Sequence, residues 1–119
     1  MKYKREIKKI SKYCAYCGCK FKDYKDKNIN LFVPASMGGK PKLNNLVCCC
    51  TECLRNKNMV SISEWINSKG VKYNILLYLF RMKSFKSGYF ENIYKSIKKY
   101  TNNDNNINEI KCQYYLLVI

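Results

Sequence analysis

A small α+β fold is expected from these 119 residues: a loop-rich cysteine module leading into a helical C-terminal segment. Three observations carry that expectation. Two Cys-x-x-Cys pairs, Cys14/Cys17 and Cys50/Cys53, lie in the first half, together with most of the glycines and both prolines. In the second half, apolar residues return at helical spacing, and Tyr89, Phe90, Ile93, Tyr94, Ile97 and Tyr100 fall on one face. The chain is also short, and a domain of this size buries a modest core and often needs a covalent or metal staple.

Taken in order, residues 1–12 read as a basic N-terminal arm, with Met1–Ser11 a short helix or an unstructured lead-in. Residues 13–69 form the cysteine module. Within it, short strands are expected around Ile29–Val33, and a helix begins near Cys50. Ser61-Ile62-Ser63-Glu64 has the capping-box form and opens a short helix that Gly70 should end. Residues 70–119 form the helical segment, with helices over Val71–Lys83 and Gly88–Tyr100. Thr101–Asn108 reads as a polar linker, and the apolar Tyr114–Ile119 as a strand or a docked helix end. Neither half has much core alone, so the helical part should pack on the module.

The charge bounds the function. There are 23 Lys and Arg against 8 Asp and Glu, a formal net charge of +15. That exceeds what solubility requires and draws in polyanions. Nucleic acid leads, an anionic protein comes second and a membrane surface third. An AT-rich genome would also inflate Lys, Asn, Ile and Tyr. No run reaches the ~18 apolar residues of a membrane span. The Lys-rich Met1–Ile10 lacks a secretory signal, so an intracellular, reducing location is expected.

In that compartment the eight cysteines are better read as metal ligands than as disulfides. They cluster, and Leu54–Lys111 has none. Cys14, Cys17, Cys50 and Cys53 give two x-x spacings, each able to grip one ion from a single turn. Four thiolates suit one tetrahedral, structural Zn²⁺ at about 2.3 Å per bond. Gly18 allows the first pair to turn tightly, and a helix start at Cys50 would favour its thiolate. Cys19 competes with Cys17 and Cys49 with Cys50. The spare Cys19, Cys48, Cys49 and Cys112 are expected to be small buried residues.

Between and after the pairs stand Val33-Pro34-Ala35-Ser36-Met37-Gly38-Gly39, then Leu43-Asn44-Asn45-Leu46-Val47, then Cys50-x-x-Cys53 with Lys57, and Ser63-Glu64-Trp65. This ordered set, spanning Tyr13–Trp65, resembles the HNH endonuclease family of the four-cysteine type. The resemblance implies a small zinc-stapled ββα-metal module, treble-clef-like, followed here by the helical segment. In that family an Asp, a His and a final Asn or His serve metal-assisted phosphodiester hydrolysis. The matching positions here are Asn30, Leu31 and Leu54, and the central Asn is Asn45, beside Asn44. The chain contains no histidine. These catalytic positions are degenerate: no general base is present, and Asn30 is at best a weak neutral ligand. Asp23 and Asp26 are the nearest alternative carboxylates.

What is then expected is a non-enzymatic zinc module that binds nucleic acid, with DNA favoured. Lys40, Lys42, Arg55 and Lys57 on the module, and Lys8, Lys9 and Lys12 before it, would contact phosphates with little base readout. An accessory role in viral or mobile-element transcription or replication fits this composition. Two alternatives stand beside it. One is a structural or interaction protein whose helical segment docks an anionic protein partner. The other is a nuclease with relocated catalytic groups. Tyr13, Tyr16 and Phe21 are read as core near the zinc.

Overall fold

The computed structural model describes residues 2–82 and 85–101. Cys112, Tyr114–Ile119 and nearly all of the expected linker lie outside the described residues.

The chain opens with α1, Lys2–Ile10. Its sequence is almost wholly polar, yet Ile7 is completely buried. The expected arm is therefore a helix anchored on the sheet by one apolar residue. The strands are β1, Asn28–Leu31, and β2, Leu46–Cys49. They pair antiparallel, with Asn28 opposite Cys49 and Leu31 opposite Leu46. An isolated two-stranded hairpin is marginal in water. This one persists because helices cover it, and every residue of β2 is buried.

Helix α2, Thr51–Lys57, is capped by Cys50, and α3, Ile62–Ile66, by Ser61. The Ser61 hydroxyl accepts from the Glu64 amide at 3.1 Å, as the capping box requires. Gly70 does not end this helix. Helix α3 stops at Asn67, and Gly70, at φ +83°, instead caps α4, Val71–Arg81. Helix α5, Tyr89–Tyr100, buries Tyr89, Ile93 and Ile97. Their i, i+4, i+8 spacing is the stripe expected from the sequence.

One continuous core runs through the sheet and the helices. Two tyrosines from the helical segment reach across it to β2. The Cys48 amide donates to the Tyr78 hydroxyl at 3.0 Å, and the Tyr89 hydroxyl donates to the Leu46 carbonyl at 2.6 Å. Both phenols are buried, and burial pushes Tyr78 up to about 12, so it stays a neutral partner. The Ser11 hydroxyl, 3.1 Å from that of Tyr78, ties the end of α1 into the same network. No helix among the described residues is long and apolar enough to cross a membrane.

Candidate metal centre

Two separate turns bring the four sulfurs together. In the first, Gly18 adopts φ +77° and reverses the chain after Cys17. The turn is closed by the Gly18 amide donating to the Cys14 carbonyl at 3.0 Å and the Cys14 amide to the Cys19 carbonyl at 2.8 Å. Helix α4 braces it from outside, since the Asn74 side-chain amide donates to the Tyr16 carbonyl at 2.9 Å. A Cβ at Gly18 would meet Asn74 Oδ1 at 3.1 Å. In the second turn, Cys50 ends the sheet and caps α2, which places Cys53 one turn into the helix.

The Sγ atoms of Cys14, Cys17, Cys50 and Cys53 all lie within 4.8 Å of one another. A tetrahedron with metal–sulfur bonds of ~2.3 Å has edges of about 3.8 Å. The Cys17–Cys50 separation of 3.9 Å matches that edge. Backbone amides also point at the sulfurs. Cys14 Sγ accepts from Tyr16 at 3.4 Å, Cys17 at 3.5 Å and Cys50 at 3.3 Å, and Cys50 Sγ accepts from Cys53 at 3.5 Å. Amides aimed at sulfur stabilise thiolates, the form that binds metal. The Cys14 thiol is held below its ordinary value, chiefly by its interaction with the Cys53 thiol and, against the opposing effect of burial, by these amides. Cys53 is pushed up by the same interaction. The quartet thus fits one structural metal ion.

The remaining cysteines divide. Cys48 and Cys49 are fully buried, as expected of small core residues. Cys19 is not: it is exposed, with its sulfur 3.2 Å from that of Cys17. The turn at Gly18 returns the next residue toward the metal edge, which x-x spacing alone does not reveal.

The positions singled out by the sequence resemblance are arranged as follows. Asn45 bridges the loop: its Oδ1 accepts from the Val33 amide at 2.8 Å, and its Nδ2 donates to the Val33 carbonyl at 2.9 Å and the Lys40 carbonyl at 3.1 Å. Asn30 is buried, and its Oδ1 accepts from the Tyr16 hydroxyl at 2.6 Å. At Leu31 the backbone carbonyl accepts from Lys57 Nζ at 3.0 Å. Leu54 packs against the core. Asp23 and Asp26 are exposed in the 3-10 turn Tyr24–Asp26 and its cap, where Asp23 accepts from the Lys25 amide. Tyr16 is buried beside the centre, with Trp65 edge-on to its ring at 5.3 Å between centroids.

Lys57 corrects the set of expected phosphate contacts. It is 5 % exposed and spends its ammonium on the Leu31 carbonyl and on the Tyr16 ring, 5.9 Å from its centroid. The signal is present in the sequence: Lys57 lies four residues after Cys53, hence on the same inward face of α2. Burial lowers its pKa from 10.5 to about 8. The folded protein therefore binds fewer protons than the unfolded chain between those values, so the contribution of Lys57 to stability rises with pH across that window. Relative to Lys57→Met, the metal-loaded wild type should gain about 3 kcal/mol of unfolding free energy between pH 8 and 10.5. Urea titrations of both proteins at the two pH values check this, and parallel curves would refute it.

The other expected phosphate contacts keep access to the surface, with Lys8 half-buried. Lys40 and Lys42 are exposed and line an open polar cleft with Asn44, Asn92, Ser96 and Lys99. Lys99 comes from α5, and no sequence spacing ties it to the glycine loop; their meeting is a tertiary fact. A second cleft is lined by Lys4, Arg5, Lys8, Tyr24, Asn28, Ile29 and Leu54. Lys8 stands 5.3 Å from the centre of the Tyr24 ring. Lys9, Lys12 and Arg55 are exposed. Neither cleft has an acidic residue in its lining. The chain matches no protein-family model, no curated protein and no solved structure.

Proposed function

We propose that the protein is a non-enzymatic zinc module that binds the sugar-phosphate backbone of nucleic acid, with duplex DNA the favoured form. Zinc is the ion that best suits four thiolates in a tetrahedron with no open position. With every position filled by sulfur, a bound ion would have a structural role. The observation that carries the binding reading is the pair of clefts lined by Lys4, Arg5 and Lys8, and by Lys40, Lys42 and Lys99, without an opposing carboxylate. A net charge of +15 supports the same reading.

The absence of catalysis follows from the residues at the family-like positions. Asn30 and Leu54 offer no charged ligand to a divalent ion, and Leu31 no base. A lysine ammonium lies against the Leu31 carbonyl, and a fixed cation beside that position disfavours a second one. Supercoiled plasmid incubated with the metal-loaded protein and Mg²⁺ or Mn²⁺ should stay intact, whereas nicking would restore the nuclease alternative.

Binding through phosphates makes a quantitative prediction. Removing one lysine–phosphate pairing should make the slope of log affinity against log salt shallower by ~0.9. Replacing Lys40 and Lys42 by Ala together should therefore flatten the slope by about 2. Lys57→Met should leave it unchanged, because that ammonium is buried. Electrophoretic shifts of a duplex at several salt concentrations measure both. No shift of the wild type even at low salt would sink the reading. The protein-scaffold alternative draws on exposed Met37 and Val60, which line a further cleft with Pro34 and Ile62. A stoichiometric protein recovered from nuclease-treated extract would favour it.

A further inference from the structure

We infer that Cys19 is a fifth, exchangeable ligand of the metal centre, able to take the place of Cys17 on its exposed edge. The inference rests on the metal reading above and adds to it.

The quartet has an inner and an outer side. Cys14 and Cys53 are buried, Cys50 is half-buried and Cys17 is exposed. The inner sulfurs are fixed by the sheet end, by α2 and by the amides that point at them. The outer edge is a short turn, and there Gly18 at φ +77° swings Cys19 back beside Cys17. Their sulfurs are 3.2 Å apart, closer than the 3.9 Å between Cys17 and Cys50. Cys19 therefore sits against the exposed sulfur of the quartet, inside the ~3.8 Å that separates neighbours on one ion.

Zn²⁺ has no geometric preference from its d electrons and can pass through five-coordination in a transition state. An exchange then needs no vacant intermediate. The bond from the metal to the Cys19 sulfur forms, the bond to the Cys17 sulfur breaks, and the Cys19 thiol proton passes to the released Cys17 thiolate. No electrons are transferred and the charge at the centre is unchanged. The turn has to pivot about Gly18, because the Cys19 sulfur lies beside that of Cys17 but outside the group of four that are all within 4.8 Å of one another. The consequence is an ion that survives the removal of either outer thiol.

Co²⁺ as a spectroscopic substitute for zinc tests this on the full chain. The wild type should show the sulfur-to-metal and d–d bands of a tetrahedral four-thiolate site. Cys17→Ser and Cys19→Ser should each keep that spectrum. The double variant should drop by about a quarter in charge-transfer intensity, one thiolate in four. A Cys17→Ser spectrum equal to that of the double variant would overturn the inference. Failure of the wild type to bind Co²⁺ at all would instead refute the metal centre itself.

A second measurement needs no variant. Zinc-loaded wild type treated briefly with a maleimide, then mapped by mass spectrometry, should carry the label divided between Cys17 and Cys19. Label on Cys19 with Cys17 fully protected would show that only the quartet binds, and would end the inference.

Discussion

Removing the metal with a chelator under reducing conditions should unfold the domain around Cys14–Cys53. The expected effect is large because a structural Zn²⁺ supplies about 10–16 kcal/mol of apparent folding free energy. A small domain has only about 5–15 kcal/mol of net stability. What the ion replaces is scarce here. The sheet has two strands of four residues each, and the turn at Cys14–Cys19 is held by few long-range bonds. Without the ion, the buried thiolate favoured at Cys14 would face three sulfurs and no cation. Cys14→Ser should reproduce the effect of the chelator, since Cys14 is the sulfur that accepts three amides. Cys48→Ala should not, because Cys48 is a buried residue outside the quartet. Trp65 is the sole tryptophan and packs on Tyr16 within the first turn, so its fluorescence reports directly on this region. A protein that kept its circular dichroism, its Trp65 emission and its protease resistance after complete metal removal would rule the reading out.

Gly39→Ala is the second change expected to act strongly, and Gly38→Ala beside it is the control. A Cβ on Gly39 would lie 1.7 Å from the Val33 carbonyl oxygen, 2.5 Å from its carbon and 3.0 Å from Asn45 Nδ2. The first two are backbone atoms and cannot rotate away. Val33 is itself clamped by Asn45 through both its amide and its carbonyl. A methyl group there must open the loop that joins β1 to β2, and the loss should be about 3 kcal/mol or more. Gly38 differs: at φ +87° it has nothing within 4 Å of a Cβ. Its replacement should cost only the ~1–2 kcal/mol of a left-handed alanine. Urea unfolding of the two metal-loaded variants measures the contrast. Equal losses would mean that the close approach of Gly39 to Val33 does not govern the loop.

The elements legible in the sequence are those whose signal is local. A Cys-x-x-Cys turn brings two sulfurs together within four residues, so each pair follows from spacing, and the fold then joins the two pairs into the quartet. Ser61 and Glu64 mark a helix start because the bond between them spans one turn. The stripe from Tyr89 to Ile97 survives in α5 because helical periodicity depends on nothing outside the helix. Strand β2 is harder to see. It is buried at all four positions, so Leu46-Val47-Cys48-Cys49 has no alternation to betray a strand. Gly70 misleads for a related reason: a left-handed glycine serves a helix end or a helix start, and the sequence does not say which.

The position of Asn45 in the loop between the strands is likewise readable locally, whereas its bonds are not. Asn45 holds the loop closed through Val33 and Lys40. The surroundings of Asn30 and Leu31 needed three dimensions. Tyr16 comes to Asn30 from another loop, and Lys57 comes to the Leu31 carbonyl from a position 26 residues away.

Composition and spacing were thus sufficient for the two cysteine pairs, the helices over Val71–Arg81 and Tyr89–Tyr100, the basic character and the lack of histidine, because each is a property of residue type or of neighbours along one turn or helix. Which lysines face water, and that the Cys19 sulfur comes beside that of Cys17, depended on how the chain turns and how separate segments pack. Lys57 is buried and Lys40 exposed although both are lysines of the same module. The difference is that a carbonyl and an aromatic ring meet one ammonium, while solvent surrounds the other. Cys19 comes beside Cys17 because Gly18 turns the chain there and Asn74, from α4, braces that turn.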